Sequence, residues 1–126
     1  MSKKILIIED DNILQKAVAA ALKEEGLEVV QAFDGRDGVK KAKSVKPDLI
    51  LLDLLLPKKD GWEVLKTLKK DIKTKNIPVF ILTVYEGQNS IAKCLDLGIK
   101  GYFVKSQYSL DEIVSKVKDE LKKKSR

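Results

Sequence analysis

The sequence predicts an α/β domain, an open sheet of five parallel strands with five helices on both of its faces. Three observations support that class. Short β-rich apolar runs alternate with longer helical stretches from one end of the chain to the other. The apolar runs are continuous and do not alternate with polar residues, as expected of strands buried on both faces. The chain has 126 residues, no internal repeat and no low-complexity linker, so residues 1–126 are expected to form one domain with one core.

The elements follow in order. Ile5-Leu6-Ile7-Ile8 reads as the first strand and ends at the acidic cluster Glu9-Asp10-Asp11. From Asn12 to Glu25, Ile13, Leu14, Ala17, Val18, Ala21 and Leu22 recur at three- and four-residue spacings, which predicts an amphipathic helix stopped by Gly26. Asp11 or Asn12 suits its N-cap, where an acid also complements the helix dipole. Leu27 to Ala32 is the second strand, and Asp34-Gly35 opens a helix to about Val45, closed off by Pro47. Leu49 to Leu52 is a wholly apolar third strand that finishes on Asp53. Pro57 and Asp60-Gly61 mark a loop before a helix from Trp62 to about Lys70. Pro78 leads into the fourth strand, Val79-Phe80-Ile81-Leu82, which Thr83 closes. A helix from about Asn89 to Leu97 stops at Gly98, and Tyr102-Phe103-Val104 is the fifth strand. The last helix begins near Ser109, whose spacing to Glu112 is that of a capping box, and runs to about Lys123. Trp62 and Cys94 are expected in helix-surface packing.

Composition narrows the function. The apolar share of 44% is that of a globular protein and excludes a disordered tail or a fibrous repeat. The longest apolar stretch, Leu49 to Leu56, is interrupted by Asp53 and falls far short of the ~20 residues of a membrane span. Met1-Ser2-Lys3-Lys4 and the Ile/Leu run after it lack a small-residue cleavage site, so a cytoplasmic location and no membrane partner are expected. A single cysteine excludes a disulfide framework, and the absence of histidine excludes imidazole metal sites and histidine acid–base chemistry. Any chemistry falls to carboxylates, hydroxyls and lysines. Residues 1–63 carry eleven basic and twelve acidic side chains (net −1), and residues 64–126 carry fourteen and seven (net +7). A basic half permits an anionic partner. These lysines are spread over several helices without interleaved aromatics, so solvated helix faces are expected and direct nucleic-acid binding is not.

Active sites of open parallel sheets lie beyond the carboxyl ends of the strands. There the first strand delivers Glu9, Asp10 and Asp11, the third Asp53, the fourth Thr83 and the fifth Lys105. Carboxylates converging at one edge repel one another unless a cation compensates them. A hard divalent ion such as Mg²⁺, held by a few oxygens and waters, fits that need. Asp53 at a strand tip is a candidate carboxylate nucleophile, Thr83 a donor to a phosphoryl oxygen and Lys105 its counter-charge.

The chain resembles a bacterial two-component response-regulator receiver domain, of the stand-alone, chemotaxis-regulator-like kind, over essentially its whole length. The matching pieces are Ile5 to Asp11, Pro47 to Pro57 with Asp60-Gly61, Pro78 to Thr83, and Gly98 to Lys105. The resemblance implies a flavodoxin-like sheet in the order 2-1-3-4-5 and a phosphorylation-dependent signalling switch, not an enzyme. It implies that Asp53 accepts a phosphoryl group from a sensor histidine kinase or a phosphotransfer protein. It implies Mg²⁺ (or Mn²⁺) held by Glu9, Asp10, Asp53 and the backbone carbonyl of Leu55. Thr83, Lys105 and the backbone amide of Val84 would contact the phosphoryl oxygens, and Tyr102 would be the switch aromatic that turns inward with Thr83. A downstream protein would be met by the face of the fourth helix, fifth strand and fifth helix, carrying Lys93, Lys100, Tyr102, Lys116 and Lys118.

Some positions depart from the family pattern. Leu56 stands where methionine is common, Val84 where a small residue is usual and narrows access to Asp53, and Ser106 where proline follows the lysine. A trans bond is expected between Lys105 and Ser106, because a non-proline cis bond costs ~2.5–4 kcal/mol. Leu55 and Tyr85, two positions after Asp53 and Thr83, are one apolar and one bulky aromatic side chain that orient an attacking water poorly and partly exclude it, which predicts slow loss of the phosphoryl group. Other readings remain. The chain could be a phosphorelay intermediate, or the receiver of a longer DNA-binding regulator whose linker begins at Lys122 to Arg126. A nucleotide- or flavin-binding domain conflicts with the acidic loop after the first strand. An aspartyl phosphatase lacks its second aspartate, replaced by Leu55. A basic nucleic-acid-binding domain would reveal itself by a steep salt dependence.

Overall fold

The computed structural model of the protein describes residues 2–124. Strands β1 (Lys4–Ile8), β2 (Glu28–Ala32), β3 (Leu49–Leu52), β4 (Val79–Thr83) and β5 (Gly101–Val104) form one parallel sheet in the order β2-β1-β3-β4-β5. They alternate with α1 (Asn12–Glu24), α2 (Gly35–Val45), α3 (Gly61–Lys70), α4 (Gln88–Asp96) and α5 (Leu110–Lys124). The predicted class, strand number and order are all present. Boundaries differ by one or two residues: Gly61 and Gln88 already belong to their helices, and Gly101 already belongs to β5.

Successive strand residues point to opposite faces, so a fully apolar strand feeds two cores. Ile5, Ile7, Leu49, Leu51 and Phe80 pack with Val18 and Leu22 of α1 and Val117 and Leu121 of α5. Leu6, Ile8, Ile50, Leu52 and Ile81 pack on the other face with Ala42 of α2, Val64, Leu65 and Leu68 of α3 and Cys94 of α4. Each such aliphatic side chain, withdrawn from water, stabilises the fold by about 1.5–3 kcal/mol. β2, at the sheet edge, is only half-buried.

Four helix starts carry side-chain caps, Asp11 and Ser109 where the sequence placed them, and α4 begins after Gly87 without one. Asp11 accepts from the amides of Ile13 and Leu14, Asp34 from Asp37 and Asp60 from Glu63. Ser109 and Glu112 exchange side chain-to-backbone bonds of 3.1 and 2.8 Å, completing the capping box. Gly98 takes φ +83° directly after α4, a left-handed conformation that suits a residue without Cβ. No cis peptide occurs among the described residues, so the bond from Lys105 to Ser106 is trans as expected.

Two packing expectations are corrected. The buried stripe of α1 is Gln15, Val18, Ala19 and Leu22, rotated from the predicted one; Ile13 is 83% exposed and Ala17 also faces solvent. Cys94 is not a surface residue of its helix but lies wholly inside the core. Trp62 does remain at the helix surface, half-buried, with the Lys93 ammonium 5.4 Å above its ring.

Candidate functional site

Register brings the predicted residues to one edge. Ile8 lies beside both Ala32 and Leu52, so β1, β2 and β3 end level, whereas Leu52 lies beside Ile81 and β4 and β5 run two residues further, to Thr83 and Val104. Each ladder continues for one residue: Glu9 N–H donates to Ala32 O, Asp53 N–H to Ile8 O and Lys105 N–H to Thr83 O, at 3.0, 3.0 and 2.7 Å. Glu9 and Asp53 therefore leave the sheet at the same height, and Lys105 leaves it two residues further along, with its long side chain meeting both acids. Gly61 holds the segment after β3 from behind, its amide 2.9 Å from Leu54 O. A Cβ at Gly61 would collide with the Asp53 carbonyl and the Leu54 Cα, so α3 begins directly against the segment bearing Asp53.

Carboxylate oxygens of Glu9, Asp10 and Asp53 lie within 4.8 Å of one another. Glu9 and Asp53 are 3% and 4% exposed, while Asp10 is open to solvent. The Lys105 ammonium is 2.8 Å from Glu9 Oε1 and 3.0 Å from Asp53 Oδ2. The Glu9 contact is an ion pair off the hydrogen-bonding direction, whereas Lys105 donates a hydrogen bond to Asp53. Glu9 Oε2 accepts from the Asp11 amide at 3.0 Å, and Asp53 Oδ1 from the Leu55 amide at 3.2 Å. Leu14, Val18 and Leu82 line the same small recess as Glu9 and Asp53, giving the acids an apolar floor.

That floor shows in the electrostatics. Burial pushes the Glu9 carboxyl up to about 7, against the close Lys105 ammonium and the Asp11 amide, and the Asp53 charge adds to the rise. For Lys105, burial lowers the pKa, but the close carboxylates of Glu9 and Asp53 outweigh it and the net shift is upward. The Lys105 ammonium meets Glu9 and Asp53, and Asp10 adds a third, exposed carboxylate to the cluster, which leaves a surplus of negative charge among hard oxygen donors. Such a donor set fits a small, hard dication such as Mg²⁺ or Mn²⁺.

Thr83 is wholly buried, and its hydroxyl has no hydrogen-bond partner among the described residues. A buried hydroxyl without a partner is costly and is rare in native structures. Tyr102, half-buried on β5, donates from its hydroxyl to Tyr85 O at 3.0 Å and lies 2.6 Å from Ser90 Oγ. Burial raises its pKa. Leu55, Val84 and Tyr85 are all exposed, so Val84 is not packed into the site. Asp11, the remaining acid of the cluster, is occupied as the N-cap of α1.

Not every predicted surface residue lies where expected. Lys100, Tyr102 and Lys116 border one groove between β5 and α5. Lys118 instead reaches Glu25 at the end of α1, at 2.6 Å, and Lys93 faces Trp62 of α3. Gln15 went unmarked in the sequence. It is wholly buried, with its amide against the ends of β1 and β2. A polar residue three and seven positions before the buried Val18 and Leu22 was the available signal.

A flavodoxin-like sheet with this acidic edge defines a class of regulatory phosphoacceptor domain. The chain belongs to the response regulator receiver domain family, whose model matches residues 5–118, and is thus a two-component receiver, a domain phosphorylated on aspartate. It is 37% identical over 123 residues to the DNA-binding dual master transcriptional regulator RpaA of Synechocystis, covering 98% of this chain and 51% of that protein. The chain therefore spans about half the length of that relative. Among solved structures it is similar to a Francisella response regulator receiver domain, with 28% identity, TM-score 0.89 and coverage of 98% and 99%. It is also similar to response regulator Rcp1 in its Mn²⁺-bound form, with 32% identity, TM-score 0.79 and coverage of 93% and 92%. No helix among the described residues is long and apolar enough to cross a membrane.

Proposed function

We propose that Asp53 is the phosphoacceptor of a switch that reads a sensor histidine kinase or a phosphotransfer protein in the cytoplasm. A phosphohistidine P–N bond breaks as a P–O bond forms to the Asp53 carboxylate, and the imidazole leaves with a proton. Glu9, Asp10, Asp53 and the Leu55 carbonyl would hold Mg²⁺ or Mn²⁺, the latter being the ion bound in the similar Rcp1 structure. The ion, when bound, supplies charge compensation for the phosphoryl oxygens. Lys105 then turns from two carboxylates toward one phosphoryl oxygen, while the Thr83 hydroxyl and the Val84 amide receive the others. The observation that carries this reading is the Glu9–Asp10–Asp53 cluster, with Lys105 as the cation in contact with its buried members. The unpartnered hydroxyl of Thr83 supports it, since a phosphoryl oxygen would satisfy that group.

Phosphorylation adds about −1.5 to −2 charge. Movement of Thr83 toward it frees space for Tyr102, whose bonds to Ser90 and the Tyr85 carbonyl tie it to the segment before α4. The output surface is the α4–β5–α5 face, where Lys100 and Lys116 suit an acidic partner protein. Residues 1–126 act as one receiver, and the phosphoryl group is lost slowly because Leu55 and Tyr85 orient no water. The test is mass spectrometry of the chain after incubation with an acyl phosphate and Mg²⁺. One phosphoryl group is expected on the wild type and none on Asp53→Ala or without Mg²⁺; equal labelling of Asp53→Ala refutes the assignment.

A further inference from the structure

We propose that Gln15 is a positioning residue for the acidic turn Glu9–Asp11, setting the geometry in which Glu9 and Asp10 meet a divalent cation. This rests on the reading of Glu9, Asp10 and Asp53 as metal ligands. Gln15 is wholly buried beneath that turn. Its Nε2 donates toward Ile7 O at 3.2 Å, Glu9 O at 3.0 Å and Ala32 O at 3.0 Å. Two hydrogens thus serve three carbonyls that converge where β1 and β2 end. The opposite amide orientation would set Oε1 against those three oxygens, so the donor assignment follows from the surroundings.

These bonds belong to a closed ring. Gln15 N–H donates to Asp11 O at 2.9 Å, Asp11 N–H to Glu9 Oε2 at 3.0 Å, and Gln15 Nε2 returns to Glu9 O. Glu9 is held at both its backbone carbonyl and its carboxylate, and Asp10 lies between the fastened residues with its own carboxylate free to reach an ion. The arrangement has a cost, because Gln15 Oε1 is buried without a partner among the described residues. An apolar side chain of equal length would fill the volume and bury no Oε1, but it would take the donor away from Glu9 O. What the glutamine adds is the pair of donors, and those donors contact only the strand ends that carry the turn. Groups that orient metal ligands without touching the metal change affinity substantially.

Mn²⁺ is the probe, with free ion counted by electron paramagnetic resonance, on the wild type, Gln15→Met, Gln15→Asn and Leu22→Ala. Gln15→Met keeps the volume and removes both donors; Gln15→Asn keeps the amide and withdraws it by one methylene. Leu22→Ala weakens the same helix without touching the turn. Affinity is expected to fall about ten- to hundredfold in Gln15→Met, by a smaller factor in Gln15→Asn, and to hold within about twofold in Leu22→Ala. If Gln15→Met does not fold, a loss of affinity in folded Gln15→Asn supports the proposal. Unchanged affinity in the folded Gln15 variants, or an equal loss in Leu22→Ala, overturns it while the metal reading stands. A wild type that binds no Mn²⁺ overturns both.

Discussion

Replacing Asp53 with asparagine is expected to stabilise the metal-free protein, although it removes an ion pair. Above the value of about 7 to which burial pushes Glu9, this acid and Asp53 are both ionised with oxygens within 4.8 Å, a repulsion of at least about 3.5 kcal/mol at an effective dielectric near 20. Asp10, equally close but exposed, adds about 1 kcal/mol at the dielectric of water. Against these stands the attraction to Lys105 at 3.0 Å, about 5.5 kcal/mol on the first scale. Repulsion and attraction nearly cancel. The remaining difference is the desolvation of a carboxylate only 4% exposed, an effective penalty of several kcal/mol before relaxation, which the neutral amide escapes in large part. Asparagine keeps an acceptor for the Leu55 amide, and Lys105 keeps Glu9 at 2.8 Å. A net gain of about 1–2 kcal/mol follows, read as a higher urea midpoint at unchanged slope in a chelator. In Mg²⁺ at ten times its dissociation constant the wild type recovers about 1.4 kcal/mol through binding, and the variant recovers less. An Asp53→Asn protein that is less stable than the wild type in chelator would refute the picture of a strained acidic cluster.

Asp10→Ala should abolish most Mg²⁺ binding while leaving the fold intact, because its side chain is exposed; a calorimetric titration with unchanged affinity speaks against the ligand assignment. Gly61→Ala should cost about 1–3 kcal/mol in thermal or urea unfolding, since the new Cβ meets the backbone of Asp53 and Leu54 and cannot be relieved by a side-chain rotation. Leu55→Asn combined with Tyr85→Glu should speed loss of the aspartyl phosphate, followed as released inorganic phosphate without a phosphatase. Loss within seconds from the wild type itself would show that these positions do not limit water. Lys105→Met should destabilise the metal-free protein by about 3–5 kcal/mol, because it leaves the buried carboxylates of Glu9 and Asp53 without their cation. Chemical denaturation in a chelator measures it, and a loss under 1 kcal/mol contradicts the assigned role.

Much of the site was legible because the acids and their partners immediately follow strands, and a parallel sheet collects strand ends at one edge. Glu9, Asp53, Thr83 and Lys105 needed only correct strand ends to be placed together. Asp11 was legible as a cap for a local reason, since its carboxylate reaches amides two and three residues ahead. The α1 stripe was misplaced because Ile13 and Ala17 fit the same period as Val18 and Leu22, and periodicity alone does not choose between adjacent stripes. Gln15 was missed with it, because its partners are carbonyls whose positions depend on where β1 and β2 end.

The sequence by itself determined the elements, their order and the residues at their ends, since strand runs, helix periods, caps and glycine stops are local properties of the chain. Tertiary structure alone decided how those residues share one another's charge. Lys105 and Asp53 are 52 residues apart, and Lys118 and Glu25 are 93 apart. No local pattern says that one ammonium will serve Glu9 and Asp53 together, or that Lys118 will turn from the β5 side toward α1. Those outcomes depend on the angles at which helices settle on the sheet, and on how deeply the packing withdraws each charge from water.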